Sequence, residues 1–236
     1  MSGSLVIVGC GVSKDDLTSR HLDAVRRAQV LVGGRRLLDW FPDFPGEKTA
    51  IEGDMASLVS RTVERSQREP VAVLASGDAL FFGIGRLFVE RAAGRLSILP
   101  NITAAQAAVS RLGRPWDRAR FFSVHGRGAP LPWRAILQAP LAVVYADPVR
   151  TAPALAAELT ECWPDAGRRC GAVVASLGGA TEQCVEGTLT ELSRLPSTGL
   201  SMLVVFGGDA VNAPSLPLGL DDGEYERCGD LITHPE

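Results

Sequence analysis

Up to Gly113 the chain repeats one pattern: a short run of branched apolar residues ends in glycine or another small residue, and a stretch with helical spacing follows. The run at 5–8 passes through Gly9-Cys10-Gly11-Val12 to a helix with Leu22, Val25 and Ala28 on one face. The run at 30–32 ends in Gly33-Gly34-Arg35-Arg36 and an apolar helix over 37–41, after which Pro42 and Pro45 punctuate a loop. Asp54 then caps a helix carrying Leu58, Val59 and Val63. The run at 71–74 breaks at Ala75-Ser76-Gly77-Asp78, and an apolar stretch at 79–84 leads into the next helix. The run at 96–99 turns at Pro100-Asn101-Ile102-Thr103 into a helix over 104–112, with Thr103 as N-cap and Gly113 as the residue that closes it. Strand and helix in alternation, with strands too apolar to show a face to water, predict a parallel sheet covered on both sides.

Each of these loops then lies at the carboxyl end of a strand, where open α/β sheets bind ligands. Ser76 and Gly77 leave the backbone open to close approach, and Asp78 is the one charge among apolar neighbours. A purely structural turn is the competing reading of that stretch. A dinucleotide fingerprint needs a third glycine at position 14, where Lys14 stands, and no G-K-[ST] follows either glycine loop.

At 113–117, GRPWD, the composition shifts, which places a domain boundary there: an α/β domain over 1–113 and a second over 114–208. The second half predicts strands at 121–124, 141–145, 172–176 and 200–206, with helices over 151–161 and 190–195. The Gly178-Gly179 loop makes 183–187 a hairpin partner, so this sheet is expected to be mixed. Residues 209–236, rich in Gly, Pro and Asp, read as a tail or linker.

Charge and cysteine usage narrow the function. A net charge of −3 without a basic run argues against a nucleic-acid surface. The 24 Lys+Arg are mostly arginine, which suits bidentate contact with the carboxylates of a small ligand. Five cysteines without C-x-x-C spacing read as free thiols of a reducing cytosol, and three histidines without helical pairing leave no metal centre. No run reaches the roughly 18 apolar residues of a membrane span. Asn101-Ile102-Thr103 matches a glycosylation sequon, which in a cytosolic chain is a chance match.

VGCG at 8–11, SGDALFFGIG at 76–85, PNITAAQAA at 100–108, RLGRPW at 111–116, SVHGR at 123–127 and SLGGATEQ at 176–183 follow one another in the span 5–206. In that order they resemble the tetrapyrrole methylase family, which transfers methyl groups from S-adenosylmethionine to corrin precursors. GDALFFGIG, RLGRPW and HGR are most similar to the branch that methylates C5 late in cobalamin biosynthesis. Ala79 and Val12 stand where the family often has proline, and both keep an apolar side chain.

The resemblance implies two α/β domains, a parallel sheet then a mixed one, with the cofactor in a cleft between them, commonly in a homodimer. It also implies cofactor contacts from Gly9, Gly11 and Val12, from Ser76, Gly77, Asp78 and Phe81, from Thr103 and Ala104, from Tyr145 and Ala146, and from Gly178. His125 and Arg127 would bind acetate and propionate groups of the corrinoid substrate, with Arg35 and Arg36 as further candidates. Gly229-Asp230-Leu231-Ile232-Thr233 is similar to the join at which fused members continue into a C15-methylating, decarboxylating domain. Methyl transfer from a sulfonium to a neutral carbon disperses charge and needs the three atoms in line at about 3 to 3.5 Å. Positioning should therefore dominate, without a metal or an obligatory acid or base. Asp78 either meets the cofactor or caps the following helix, Phe82 reads as core, and Cys10 as a packed small residue. Competing readings are a superfamily member with another methylation position or acceptor and, more distantly, a nicotinamide or flavin oxidoreductase on a similar sheet.

Overall fold

Runs apolar on both faces become the inner strands of a parallel sheet, and in this chain they do. The computed structural model describes residues 3–92, 94–124, 130–197 and 199–207. The strands β1 (Ser4–Gly9), β2 (Val30–Gly33), β3 (Glu47–Ala50), β4 (Pro70–Ala75) and β5 (Ser97–Leu99) pair in the order β3-β2-β4-β1-β5, all parallel. Their connections include α1 (Ser19–Arg27), α2 (Arg35–Leu38), α3 (Met55–Arg65) and α4 (Gly85–Ala92), and α5 (Ala104–Arg111) follows β5.

Side chains alternate between the two faces of this sheet, and each face has its own core. Val71 and Val73 of β4, with Leu5 and Ile7 of β1 and Val30 and Val32 of β2, pack against Leu58 and Val59 of α3 and Phe88 of α4. Ala72 and Leu74, with Val8 and Leu31, pack against Val25 of α1 and Leu37 and Leu38 of α2. Phe88 is fully buried, and its removal from water contributes about 1.5 to 3 kcal/mol. Asp54 caps α3 as its position predicts, accepting from the backbone N–H of Ala56 and Ser57 at 3.1 and 3.2 Å.

Strand β3 was not legible: its segment, EKTA, reads as part of a proline-punctuated loop. An edge strand pairs through its backbone alone and needs no apolar side chains. Arg65 of α3 braces it, donating to both carboxylate oxygens of Glu47 at 2.6 and 2.7 Å and to Glu69 at 2.5 Å.

The second unit is built on β6 (Ala119–Ser123), β7 (Leu141–Tyr145), β8 (Cys170–Ala175), β9 (Gln183–Thr188) and β10 (Ser201–Phe206), in the order β6-β7-β10-β8-β9. The pair β6 and β7 is parallel and the others antiparallel, so the sheet is mixed and β8–β9 is the expected hairpin. Three helices, α6 (Trp133–Gln138), α7 (Ala152–Cys162) and α8 (Leu189–Leu192), share one core with Ala142, Val144, Val173, Leu203 and Val205. Helix α6 went unread in the sequence because it is short and ends just before Pro140. The two units divide between Ala107 and Ala108, inside α5 and ahead of Gly113, where the composition shifts. The segment 209–236 lies outside the described residues. No helix among the described residues is long and apolar enough to cross a membrane.

Candidate functional site

In the first unit β1 and β4 are neighbours, yet the chain leaves β1 through α1 over one face and β4 through α4 over the other. That is a topological switch point, and the loops after the two strands flank it. They are hydrogen-bonded to each other: Gly11 N–H donates to Gly77 O at 3.2 Å and Gly77 N–H to Gly11 O at 2.9 Å. Both glycines are left-handed, with φ of +66° and +65°, a conformation that other residues adopt only with strain. One carboxylate oxygen of Asp16 accepts from the N–H of both Val12 and Ser13 at 2.8 Å, which fixes the first loop as it leaves β1.

The loop after β5 closes the group. Thr103 and Gln106 form a reciprocal capping box at the start of α5: the Thr103 hydroxyl accepts from Gln106 N–H at 3.0 Å, and Gln106 Oε1 accepts from Thr103 N–H at 2.7 Å. A Cβ on Gly77 would stand 3.6 Å from Ala104 N and 3.7 Å from Ile102 O, so the second loop lies directly on this turn. Gly9, Gly11, Val12, Ser76, Gly77, Asp78, Thr103 and Ala104 are thus brought together on three adjacent strand ends. Their offer to a ligand is backbone amides and carbonyls and two hydroxyls, a largely neutral set suited to a nucleoside and an amino-acid group.

Asp78 does not cap a helix, because α4 begins only at Gly85. Its two oxygens accept from Leu80 N–H at 2.9 Å and Asn101 N–H at 3.2 Å, tying the loop after β4 to the loop after β5. Phe82 is not core: it is 43% exposed, its backbone is left-handed at φ +55°, and its ring meets Phe81 edge-on at 4.9 Å. Strain of that kind gathers at functional loops. Arg35 and Arg36 part company. Arg35 pairs with Glu52 at 2.5 Å, whereas Arg36 donates to the Ser76 hydroxyl at 3.2 Å and lies over the Trp40 ring. Burial pushes the Cys10 thiol up to about 12, which makes it a packed, unreactive group.

In the second unit β7 and β8 both run antiparallel to β10, so their carboxyl ends flank its start. Ala146 N–H donates to Ser201 O at 3.2 Å and Ser176 N–H to Leu200 O at 3.0 Å, which sets Tyr145-Ala146 and the loop of Gly178 at one end of the sheet, a strand apart. Gly178 is left-handed at φ +71° and Ser176 at φ +53°. Gly178 N–H donates to Glu182 at 2.7 Å, and the Arg111 guanidinium, paired with Glu182 at 2.6 Å, holds that carboxyl below the usual range with help from the same amide. His125 and Arg127 lie outside the described residues. Two structural partners of the site were missed in the sequence, Asp16 and Asn101. Asn101 Nδ2 donates to Gly9 O and Asp16 O, so neither amide hydrogen of the sequon asparagine is spare. An amide side chain directly after a strand, facing a glycine loop, was the available signal.

The family model for tetrapyrrole (corrin/porphyrin) methylases matches residues 4–193. The chain belongs to that family. Among curated proteins, this methylase is 36% identical over 125 residues to the cobalt-precorrin-7 C(5)-methyltransferase of Salmonella typhimurium, an alignment covering 52% of this chain and 62% of that protein. It therefore spans somewhat less than two thirds of that relative. Among solved structures, the precorrin-6Y methylase of Archaeoglobus fulgidus matches with a TM-score of 0.70 at 22% identity, covering 87% of this chain and 99% of that one. Uroporphyrin-III C-methyl transferase of Thermus thermophilus, complexed with S-adenyl homocysteine, matches with a TM-score of 0.69 at 22% identity over 86% of this chain and 92% of that one. At these identities the two structures bear on the fold of the methylase.

Proposed function

We propose that this tetrapyrrole methylase transfers the methyl group of S-adenosylmethionine to C5 of a corrin precursor in cobalamin biosynthesis. The observation that carries the reading is the paired Gly11 and Gly77 loops at the switch point, in a chain 36% identical over 125 residues to a cobalt-precorrin-7 C(5)-methyltransferase. The cofactor supplies an electrophilic methyl group on a sulfonium, displaced by the ring carbon with the electron pair leaving on sulfur. The protein's part is to hold and orient. The loops at Gly9–Val12, Ser76–Asp78 with Phe81, and Thr103–Ala104 bind the cofactor. Glycines at φ near +65° let the ligand meet backbone groups without an intervening side chain. Excluding water from the reacting atoms keeps the cation's charge from being screened as it disperses.

Arg36, held beside Ser76, binds a substrate carboxylate, and Arg35, engaged with Glu52, has a lesser part; His125 and Arg127 remain substrate-binding candidates in their own right. The enzyme acts in the cytoplasm as a homodimer, with a C15-methylating, decarboxylating domain or subunit as a candidate partner. Titrating the protein with S-adenosylhomocysteine by calorimetry, then assaying methyl transfer to a corrin precursor and locating the new methyl group by NMR, tests the proposal. Absence of cofactor binding, or methylation at a carbon other than C5, would overturn it.

A further inference from the structure

Three polar side chains join the loops of the first unit, and Asn101 stands where they meet. Its Nδ2 donates to Gly9 O at 3.0 Å and to Asp16 O at 3.1 Å, its backbone N–H donates to Asp78 Oδ2 at 3.2 Å, and its Oδ1 accepts from Ile102 N–H at 2.8 Å. Asp16 in turn holds the amides of Val12 and Ser13, and Asp78 holds that of Leu80. The links run without a break from Leu80 through Asp78, Asn101 and Asp16 to Ser13, along the loops after β4, β5 and β1. Gly9 is fitted to this contact: a Cβ there would stand 3.0 Å from Asn101 N, Gly77 O and Leu99 O, so a side chain would require these three backbone segments to give way.

We infer that Asn101 is a positioning residue for the methyl donor: its side-chain amide sets the spacing of the loops after β1 and β5, while its backbone N–H ties in the loop after β4 through Asp78. The inference rests on the proposed reading of those loops as the S-adenosylmethionine site. The chemistry of the side chain is specific. Two carbonyl oxygens on different segments need two N–H donors on one short, stiff group, which a primary amide supplies. Aspartate has nearly the same shape but presents oxygen to both carbonyls, so it keeps the volume and reverses the interaction. Each lost bond also leaves a carbonyl without its partner in a partly buried place.

The experiment compares the wild type, Asn101→Ala and Asn101→Asp. It measures the S-adenosylhomocysteine Kd by calorimetry, KM for cofactor and for the corrin precursor, thermal midpoint, and amide hydrogen exchange at Val12, Ser13 and Leu80. The expected result is a Kd and cofactor KM raised at least tenfold in Asn101→Ala and further in Asn101→Asp, with the precursor KM within twofold, faster exchange at Val12 and Ser13, and unchanged exchange at Leu80, whose tie through Asp78 uses the backbone N–H of residue 101. An Asn101→Asp variant that binds like wild type would show that the side chain only fills space, and would overturn the inference. So would a cofactor Kd within twofold of wild type in Asn101→Ala, or a fall in both ligands' affinities that tracks the thermal midpoint. If the wild type itself fails to bind S-adenosylhomocysteine, the functional reading falls. Hydrogen exchange at Val12 and Ser13 then decides the coupling by itself, unchanged rates overturning it and faster rates sustaining it.

Discussion

Gly11→Ala tests how the first loop is held. The perturbation has two parts. A residue with a Cβ at φ +66° costs about 1 to 2 kcal/mol relative to glycine. The new methyl group would also stand 2.5 Å from both Cβ and Oδ2 of Asp16, too close for either to stay. Displacing Asp16 gives up its two hydrogen bonds to Val12 and Ser13. Bonds to a charged acceptor contribute about 1.5 to 3 kcal/mol each when sheltered, and less here because the carboxylate is only partly buried. The sum is about 3 to 5 kcal/mol, directed at the loop. If it is spent on loop geometry, cofactor affinity falls about a hundredfold or more, at 1.4 kcal/mol per factor of ten. The control is Gly53→Ala, at φ +69° with nothing within 4 Å of the added Cβ, which carries the dihedral cost alone. Urea denaturation gives the stability change of each variant and S-adenosylhomocysteine calorimetry the affinity change. Equal stability losses in the two variants, or Gly11→Ala binding within twofold of wild type, would refute the role given to Asp16.

Three further outcomes follow from the same geometry. Arg36→Ala should weaken corrin-precursor binding by roughly tenfold or more, the loss of one charge-assisted contact, while Arg35→Ala, whose partner Glu52 is at the surface, stays within threefold; calorimetry with each variant reads the difference. Cys170, exposed, should be alkylated by iodoacetamide at neutral pH well before Cys10, whose thiol is pushed up to about 12 by burial, as peptide mass spectrometry will show. The carboxyls of Glu47 and Glu182 are held below their ordinary value of 4.5 by Arg65 and by Arg111, so the unfolded chain binds these protons first on acidification. Their contribution is complete above pH 4.5 and is lost as pH falls through the lower folded values, so the urea midpoint should drop in that window, and drop less in Glu182→Gln.

The sequence was most informative where burial is two-sided. The inner strands announce themselves because Val71 to Leu74 and Leu5 to Val8 have no face for water, and the caps at Asp54 and Thr103 follow from local hydrogen-bonding chemistry. It was least informative where backbone carries the structure. Strand β3 pairs through its peptide groups while Glu47 and Lys48 face solvent, so no apolar periodicity marks it. The sequence left Asp78 between a cofactor contact and a cap, because a capping carboxylate and a loop-tying one look alike until the length of the intervening turn is known. Arg35 and Arg36 are adjacent and identical in type, and only Glu52 and Ser76, distant in sequence, distinguish them. Asp16 and Asn101 escaped notice for a different reason, since their partners are main-chain atoms.

The charged edge strand has a bearing on how the protein survives at high concentration. A parallel sheet ends in unpaired peptide groups that could recruit an edge from another molecule. Here one of the two outermost strands is Glu-Lys-Thr-Ala, with Glu47 clasped by Arg65 and Lys48 reaching the carbonyl of Pro42. Any neighbour seeking to extend the sheet would have to strip water from these charges and break that clasp. The charges that hid β3 in the sequence are thus ones that guard this edge of the sheet against pairing with another molecule.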